Sequence, residues 1–223
     1  MSPTHIFQRQ AEADPALVEQ FRRIPVANIS DVMMRLTAGG ARLRPMHDGS
    51  PMAGIALTVK TRPGDNLFVH KALELAKPGD VIVVDAGGDL TNAIIGELMS
   101  GYAASRGIAG LVINGAIRDA DVLRKAPLPV YAAGVTHRGP YKDGPGLINV
   151  TVSLDGMVVN PGDIILGDGD GVLCVPREQA AAICAAAQEK HSQEEQTVRA
   201  IAAGTLDTSW IDAMLTQKGY LAP

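Results

Sequence analysis

The residues of this sequence best suited to chemistry are an arginine and an aspartate side by side, Arg118-Asp119. They follow residues 110–114, a short apolar run with β-branched residues that is typical of a buried strand. Because neighbouring residues on a strand point to opposite faces, both side chains can serve one ligand only if the strand has ended. We expect the chain to turn at Gly115. A cation and an anion at the mouth of a strand then form a candidate site.

A second acidic residue, Glu97, comes shortly before this strand, at the expected start of a helix. Its charge is favourable there through the helix dipole alone. Gly96 leaves the helix start open, so that the backbone amides of Leu98 and Met99 can bind an anion. The helix is predicted from apolar residues at helical spacing, with Gly107 as its stop: Ile94, Ile95, Leu98, Met99 and Tyr102.

Together these groups predict two kinds of contact. Arg118 and the helix amides suit a substrate carboxylate, whereas Asp119 and Glu97 suit a hard cation. Carboxylates and water are ligands of Mg²⁺ or Mn²⁺ rather than of zinc. No pair of histidines has metal-ligand spacing, and no Ser-His or Cys-His pair is evident; the five histidines are His5, His47, His70, His137 and His191. Residues 167–172, GDGDGV, lack the closing Glu of an EF-hand and predict a hairpin turn instead.

The elements that must position these residues include several strands. Branched apolar runs between turn residues predict strands at 52–61, 81–86, 110–114, 128–135, 164–166 and 171–175, and a hairpin at 151–159 around Asp155-Gly156. The tripeptide Pro-Gly-Asp occurs at 63–65, 78–80 and 161–163. We expect all three to form turns that lead into the next element, since proline fixes φ and glycine allows the reversal.

Helices are predicted on both sides of these strands. Residues 15–37 form one helical region, interrupted at Pro25, in which Ser30-Asp31 caps a second short helix that runs to Leu36. Residues 66–76 form the next helix. Pro176 is expected to open a long Ala-rich helix that ends at Gly204. Its length exceeds the usual range, so part of it should pack outside its own domain.

Composition limits the class of protein. With 223 residues, 46% of them hydrophobic, the chain predicts one α/β domain with a mixed sheet: an N-terminal helix at 1–24, a core at 25–175 and a C-terminal helix and tail at 176–223. The net charge of −4 argues against nucleic-acid binding. Neither a signal peptide nor a membrane-spanning run is present, and Cys174 and Cys184 are a poor disulfide framework, which favours the cytoplasm.

From about Val26 to Gly204 the sequence resembles the class II pyruvate aldolases that include 4-hydroxy-4-methyl-2-oxoglutarate aldolase, a family that shares its fold with the regulators of ribonuclease E activity. The shared motifs, in order, are Ser30-Asp31, Pro63-Gly64-Asp65-Asn66, Pro78-Gly79-Asp80-Val81, Gly96-Glu97-Leu98, Asn114-Gly115-Ala116-Ile117-Arg118-Asp119, Asp170-Gly171-Val172 and Val175-Pro176-Arg177-Glu178. The resemblance implies an α/β/β/α layered fold, similar to the swivelling domains of phosphohistidine proteins, in trimers or hexamers.

The resemblance also implies residue roles. Arg118 would hold the pyruvyl end of the substrate, and Asp119 would bind the Mg²⁺ or Mn²⁺ ion directly. Glu97 stands where the family often has Asp, in contact with metal-bound water. The amides of Leu98 and Met99 would bind the substrate carboxylate.

An adjacent subunit would lend a carboxylate from its C-terminal helix, for which Glu194 is preferred to Glu195. The regulators commonly lack the Arg-Asp pair, so its presence here favours an enzyme.

The predicted reaction is retro-aldol cleavage of a 4-hydroxy-2-oxo acid, with oxaloacetate decarboxylation as a side activity through the same enolate. A water ordered between Glu97 and the neighbour's carboxylate is the candidate base. Candidates for contact with a second substrate carboxylate are His137, Arg138 and Lys142.

Two alternatives remain open from the sequence. A Schiff-base aldolase would need a buried lysine, yet none lies in the motif; a non-catalytic binding protein on the same fold is the other.

Overall fold

A mixed sheet forms the centre of the computed structural model, which describes residues 5–36 and 39–221. Nine strands of the described part form this sheet in the order β1-β6-β5-β3-β2-β10-β11, with β4 beside β5 and β7 beside β2. The strands are β1 (Arg44–Pro45), β2 (Met52–Thr61), β3 (Asp80–Asp85), β4 (Ala93–Ile95), β5 (Gly110–Ile117), β6 (Val130–Val135), β7 (Gly146–Ile148), β10 (Ile164–Asp168) and β11 (Gly171–Val175). A separate hairpin contains β8 (Val152–Leu154) and β9 (Met157–Val159).

The helices lie around this sheet. They are α1 (Pro15–Phe21), α2 (Val26–Val32), α3 (Leu67–Leu75), α4 (Glu97–Ser105), α5 (Ala120–Leu123), α6 (Ala180–Ala203) and α7 (Ser209–Gln217). Strands β2, β3, β5 and β6 are parallel, whereas β10 and β11 are antiparallel to their neighbours. The parallel strands are apolar on both faces, as expected for a sheet covered on both sides.

Three apolar clusters account for the layers. Helices α3 and α4 pack on one face of the parallel strands through residues such as Leu73, Met99 and Ile113. The hairpin β8–β9 fills the other face with Leu154 and Met157, and α1, α2 and α6 cover β10 and β11. The sheet curls, so that its two edge strands approach each other. Arg44 Nη1 of β1 donates to the carbonyl of Asp170, just before β11, at 3.3 Å. The predicted layered α/β fold with a mixed sheet and a long C-terminal helix is confirmed.

All three Pro-Gly-Asp segments form turns, with the glycines at φ of +72°, +87° and +91°, where a side chain would be strained. Their aspartates do more than we predicted, because all three carboxylates are buried and hold distant segments. Asp80 accepts from Arg9 Nη1 at 2.8 Å, and Asp163 accepts from the Arg177 amide at 3.1 Å. Asp65 binds a third segment, described below. Each turn therefore also fastens a remote part of the chain to the sheet.

Several local predictions were wrong. Ser30-Asp31 lies inside α2 instead of capping a second helix, and Met34 and Arg35 have positive φ, so residues 33–36 form turns. Residues 37 and 38, at the predicted end of that helix, lie outside the described residues. Ile94 and Ile95 belong to β4, which pairs with β5 and ends before Gly96. Pro176 precedes a 3₁₀ turn, and α6 begins at Ala180.

The C-terminal region is the least buried part of the described chain. Of the 24 residues of α6, only Ala180, Cys184 and Ala187 are buried, and α7 buries none. The helix ends as predicted at Gly204, in the left-handed conformation. Exposed apolar residues continue along both helices: Val198, Ile201, Leu206, Trp210, Ile211 and Met214. None of the described helices combines the length and the apolar character that crossing a membrane requires.

Candidate active site

Two adjacent strand ends bring the candidate residues together. Strand β4 runs parallel to β5, with Ile95 beside Ile117, and the Arg118 amide donates to the Ile95 carbonyl at 3.0 Å. The strand β5 thus continues through Gly115, where we predicted a turn, and ends at Ile117. Gly115 lies instead where the pairing of β5 with β6 shifts its register. The condition that the strand must end before Arg118 is still met.

Asp119 joins the end of β5 to the start of α4. Its backbone is left-handed, at φ +59°, which aspartate tolerates better than most residues. Its Oδ2 accepts a hydrogen bond from the Glu97 amide at 2.9 Å and lies 3.7 Å from Arg118 Nε. A carboxylate at this position is stabilised by the positive end of the helix dipole. Within the described residues, Oδ1 accepts no hydrogen bond and remains free for a ligand.

Gly96 is required by close packing at this junction. Its backbone is extended, so a side chain would not be strained by φ. A Cβ there would overlap Asp119 Oδ2, however, and would come within 2.8 Å of Arg118 Cγ. The glycine therefore allows the end of β5 to lie directly against the start of α4.

The first turn of α4 offers free donors. The Glu97 amide is bound to Asp119, and the helical bonds begin with the Ser100 amide, which donates to the Gly96 carbonyl at 3.1 Å. Among the described residues, the amides of Leu98 and Met99 have no acceptor, as expected at a helix start. The side chain of Leu98 is 82% exposed, whereas that of Met99 is buried. These two amides can bind an anionic group.

A cavity of about 170 Å³ lies beside this junction. Its lining combines Arg118 and a second cation, Lys142, with Met99 and the backbone around Gly96. His70 also lines the cavity; burial, together with the positive charge of Lys142, lowers its pKa. Two cations and no carboxylate in the lining favour an anionic ligand.

Arg118 also borders a second, more open hollow, which Glu97, Asp119 and Asp121 line. The guanidinium thus separates a cationic cavity from an acidic hollow. In the described chain, no group of three or more His, Cys, Asp or Glu residues is arranged to hold a metal ion. Mg²⁺ commonly takes one or two carboxylates and completes its shell with water and substrate oxygens. The free Oδ1 of Asp119, with Glu97 nearby, fits this type of site.

Glu194 does not reach this junction within its own chain. It accepts from Asn28 Nδ2 at 2.6 Å and pairs with Lys190 at 3.1 Å, and these contacts lower its pKa. Lys190 also pairs with Asp31 of α2, 3.2 Å away. Glu195 instead lies near His191, 3.7 Å away. Glu194 lies beside α2, and it lines neither the cavity nor the acidic hollow.

Sequence reasoning missed one residue of the cavity and undervalued another. Asn66 is 2% exposed, and its Nδ2 donates to the Ile94 carbonyl at 2.9 Å, which fixes the end of β4. Its Oδ1 has no hydrogen-bond partner among the described residues. The signal was present in the Pro-Gly-Asp-Asn motif. Lys142 was only one of three candidates for a second carboxylate; His137 lines the acidic hollow and Arg138 lines neither.

Named proteins with similar sequences are known. A Halalkalibacterium halodurans protein provisionally named 4-hydroxy-4-methyl-2-oxoglutarate aldolase is 42% identical over 192 residues, which cover 86% of this chain and 90% of that protein. A Thermus thermophilus 4-hydroxy-4-methyl-2-oxoglutarate aldolase is 38% identical over 112 residues, covering 50% of this chain and 68% of that one.

A solved structure is also similar. That of Streptomyces coelicolor RraAS2, described as an unusual member of the RNase ES inhibitor RraA family, has a TM-score of 0.75 and 27% identity, and covers 84% of this chain and 98% of its own. The family model for RraA-like proteins, described as Aldolase/RraA, matches residues 26–174. The chain therefore belongs to the RraA-like family.

Proposed function

We propose that this chain is a divalent-metal-dependent class II pyruvate aldolase. Its substrate would be a 4-hydroxy-2-oxo acid, such as 4-hydroxy-4-methyl-2-oxoglutarate, which it cleaves to pyruvate and a second carbonyl compound. Oxaloacetate decarboxylation would be a side activity. The names of the two relatives support the aldolase class. The metal and the decarboxylation rest on the chemistry of the site.

One observation carries the proposal: Arg118 and Asp119 lie against the open start of α4, beside a cavity with two cations. A 2-oxo acid presents a carboxylate and a keto oxygen next to each other. The amides of Leu98 and Met99 can bind the carboxylate, while Arg118 offers a planar fork of donors to the same end of the substrate. Lys142 adds a positive charge to the cavity.

The difficult part of a retro-aldol cleavage is the charge that develops on the enolate. The proton leaves the 4-hydroxyl, the C3–C4 bond breaks, and its electrons form the enolate of pyruvate, which is then protonated at C3. A divalent ion held by Asp119, with Glu97 near its water shell, would supply Lewis-acid stabilisation of that charge. Arg118 adds fixed donors that need no reorganisation during the reaction.

A base must take the proton of the 4-hydroxyl. Glu97, at the start of α4, is exposed and borders the same hollow as Asp119, so its carboxylate can receive this proton through a water molecule. We propose that Glu194 of an adjacent subunit holds the other side of that water. The exposed apolar residues of α6 and α7 support a homo-oligomer, a trimer or a hexamer, in which the C-terminal helices contact a neighbour.

Pyruvate release tests the proposal directly. The purified chain should release pyruvate from a panel of 4-hydroxy-2-oxo acids in a coupled lactate dehydrogenase assay with Mg²⁺ or Mn²⁺, and lose this activity in excess EDTA. Asp119→Asn and Arg118→Ala should abolish turnover, whereas Arg124→Ala, which removes a surface arginine paired with Asp121, should not. Full activity of Asp119→Asn, or in EDTA, would refute the metal-dependent mechanism. Trapping with borohydride and pyruvate would instead indicate a Schiff base.

The alternative is a non-catalytic regulator on the same fold, which the likeness to RraAS2 supports. Such a protein would show no metal-dependent turnover with any substrate of the panel, and would be recovered bound to a protein partner. Because Arg118 lines a cavity that fits a small anion and Asp119 lies next to it in the acidic hollow, we favour the enzyme.

A further inference from the structure

One wall of the cavity is a connecting segment with little regular structure. Residues 136–145 connect β6 to β7, and Pro140 and Lys142 of this segment line the cavity together with Arg118. Among the described residues, its one isolated β-bridge joins Asp65 and Tyr141, and nearer its ends the Arg138 and Pro145 carbonyls accept from the amides of Ala93 and Arg62. The position of Lys142 therefore depends on what fastens this segment, which we call the cavity loop.

Around Lys142 the fastening comes from the first Pro-Gly-Asp turn. Asp65 Oδ2 accepts hydrogen bonds from two successive amides of the cavity loop, Asp143 at 2.7 Å and Gly144 at 2.9 Å. Its Oδ1 accepts from the Leu67 amide at 3.0 Å, and Arg62 Nη2 lies 3.3 Å from Oδ2. The side chain is completely buried. Apart from the Arg62 pair, the contacts of this carboxylate join the strand–helix connection to the cavity loop and to the start of α3.

Lys142 is held on both sides of its backbone. On one side, Tyr141 exchanges two backbone bonds with the turn: its amide donates to the Gly64 carbonyl at 2.8 Å, and its carbonyl accepts from the Asn66 amide at 3.0 Å. On the other side, the amides of the next two residues end on Asp65. The lysine has no ion-pair partner among the described residues, and these backbone bonds hold it at the wall of the cavity.

We propose that Asp65 is a positioning residue for the candidate active site, which acts by holding the cavity loop so that Lys142 faces the anionic ligand. This inference rests on the proposed function. It assigns to the Pro-Gly-Asp-Asn motif a role beyond making a turn. The aspartate places Lys142, the second cation of the cavity, where its positive charge attracts the anionic substrate.

The variant Asp65→Asn tests this role with little change in volume. A carboxamide has one acceptor oxygen, so it cannot serve both the Leu67 amide and the two loop amides, and its NH₂ group faces a donor. We expect KM for the 2-oxo acid to rise about tenfold while kcat changes less than about threefold, because binding geometry is lost while Arg118 and Asp119 remain. Amide hydrogen exchange at Asp143 and Gly144 should become faster.

The chain offers a matched control in the second Pro-Gly-Asp turn. Asp80 is as buried as Asp65 and also accepts from an arginine and a backbone amide, but its partners, Arg9 and Lys77, lie outside the cavity loop. Asp80→Asn should lower stability by a similar amount without raising KM and without faster exchange in the cavity loop. An equal rise in KM in both variants would show that general destabilisation, not positioning, is responsible.

A double-mutant cycle separates positioning from other effects. If Asp65 acts through Lys142, then Asp65→Asn should add little to the KM of Lys142→Ala. The proposal would be overturned if the changes in KM of the two single variants added fully in the double variant. It would also be overturned if Asp65→Asn showed faster exchange of the loop amides but an unchanged KM.

A wild-type chain without turnover or pyruvate binding would refute the proposed aldolase function. Unchanged exchange at Asp143 and Gly144 in Asp65→Asn would refute the role of Asp65 independently.

Discussion

Arg118 occupies the point where a cationic cavity and an acidic hollow meet, so its shape matters as well as its charge. A guanidinium presents a planar fork that matches a carboxylate and a neighbouring oxygen, whereas an ammonium is a point charge. Its Nε also lies 3.7 Å from Asp119 Oδ2. Both features are lost in a lysine.

We therefore predict that Arg118→Lys lowers kcat/KM by about a hundredfold, because removal of one fixed donor to a developing oxyanion typically has an effect of this size. Steady-state kinetics of pyruvate release would measure it. Arg124→Lys serves as a control, since Arg124 lies at the surface and pairs with Asp121. Retention of near wild-type kcat/KM by Arg118→Lys would mean that charge alone suffices.

His70 predicts a dependence of stability on pH. Burial and the positive charge of Lys142 lower its pKa in the folded state, so the neutral ring is favoured there. As pH falls below the unfolded value of about 6.5, the unfolded chain takes up the proton first, and the free energy of unfolding decreases. His70→Gln should therefore lose less stability than the wild type between about pH 7 and pH 5 in urea unfolding. Equal losses of unfolding free energy in the variant and the wild type would contradict a lowered pKa of His70. Because the residue is exposed, we expect the difference to be small.

At the scale of elements, the junction of β4, β5 and α4 depends on the absence of a side chain at Gly96. A Cβ there would overlap Asp119 Oδ2 and crowd Arg118. Inside α4 lies Gly101, where a Cβ would meet no atom within 4 Å. The two glycines, one at the N-cap of α4 and one inside the helix, therefore differ in what a side chain would meet.

We predict opposite outcomes for the two substitutions. Gly96→Ala should abolish most activity by displacing Asp119, whereas Gly101→Ala should leave activity unchanged and stabilise the chain by about 0.5–1 kcal/mol, since alanine is favoured in helices. Thermal unfolding and pyruvate release would measure both. Wild-type activity in Gly96→Ala would show that the close approach is dispensable.

The elements that the sequence predicted best are those with a single dominant pattern. Long branched runs such as 52–61 became strands, and Asp155-Gly156 became a turn with positive φ at both residues. β4 escaped notice because it has only three residues, and because Ile94 and Ile95 happen to continue the helical spacing of α4. Pairing with β5, a tertiary contact, decides their conformation.

The candidate site shows the same limit. Local signals indicated Arg118, Asp119 and the helix start at Gly96, because strand, glycine and charge lie within one continuous stretch. The cavity loop joins it through contacts between residues more than 70 positions apart, such as those from Asp65 to Asp143 and Gly144. No pattern along the chain encodes such a distance.

At the scale of the whole molecule, the C-terminal helices have apolar residues that the described chain leaves uncovered. Ile201 on α6 and Val158 on the β8–β9 hairpin are almost equally exposed, at 58% and 56%. Ile201, unlike Val158, stands among the exposed apolar residues that recur from Val198 to Met214. This difference allows the proposed subunit contact to be tested without truncation.

We predict that Ile201→Ser lowers the oligomeric mass measured by light scattering, whereas Val158→Ser does not. Loss of a buried apolar contact weakens association, while loss of an exposed one has little effect. Because Glu194 lies on the same helix, activity should fall with the mass. An unchanged mass for Ile201→Ser would place any subunit contact elsewhere.

The position of Trp210 has a spectroscopic consequence. It is the only tryptophan of the chain, it lies on α7, and it is 63% exposed. Fluorescence excited selectively at tryptophan therefore reports on this one surface. Emission of the isolated chain should be that of an indole in water, and docking of α7 on a neighbour should shift it to shorter wavelength. Dilution of the unlabelled protein in a fluorimeter would then follow assembly as it dissociates.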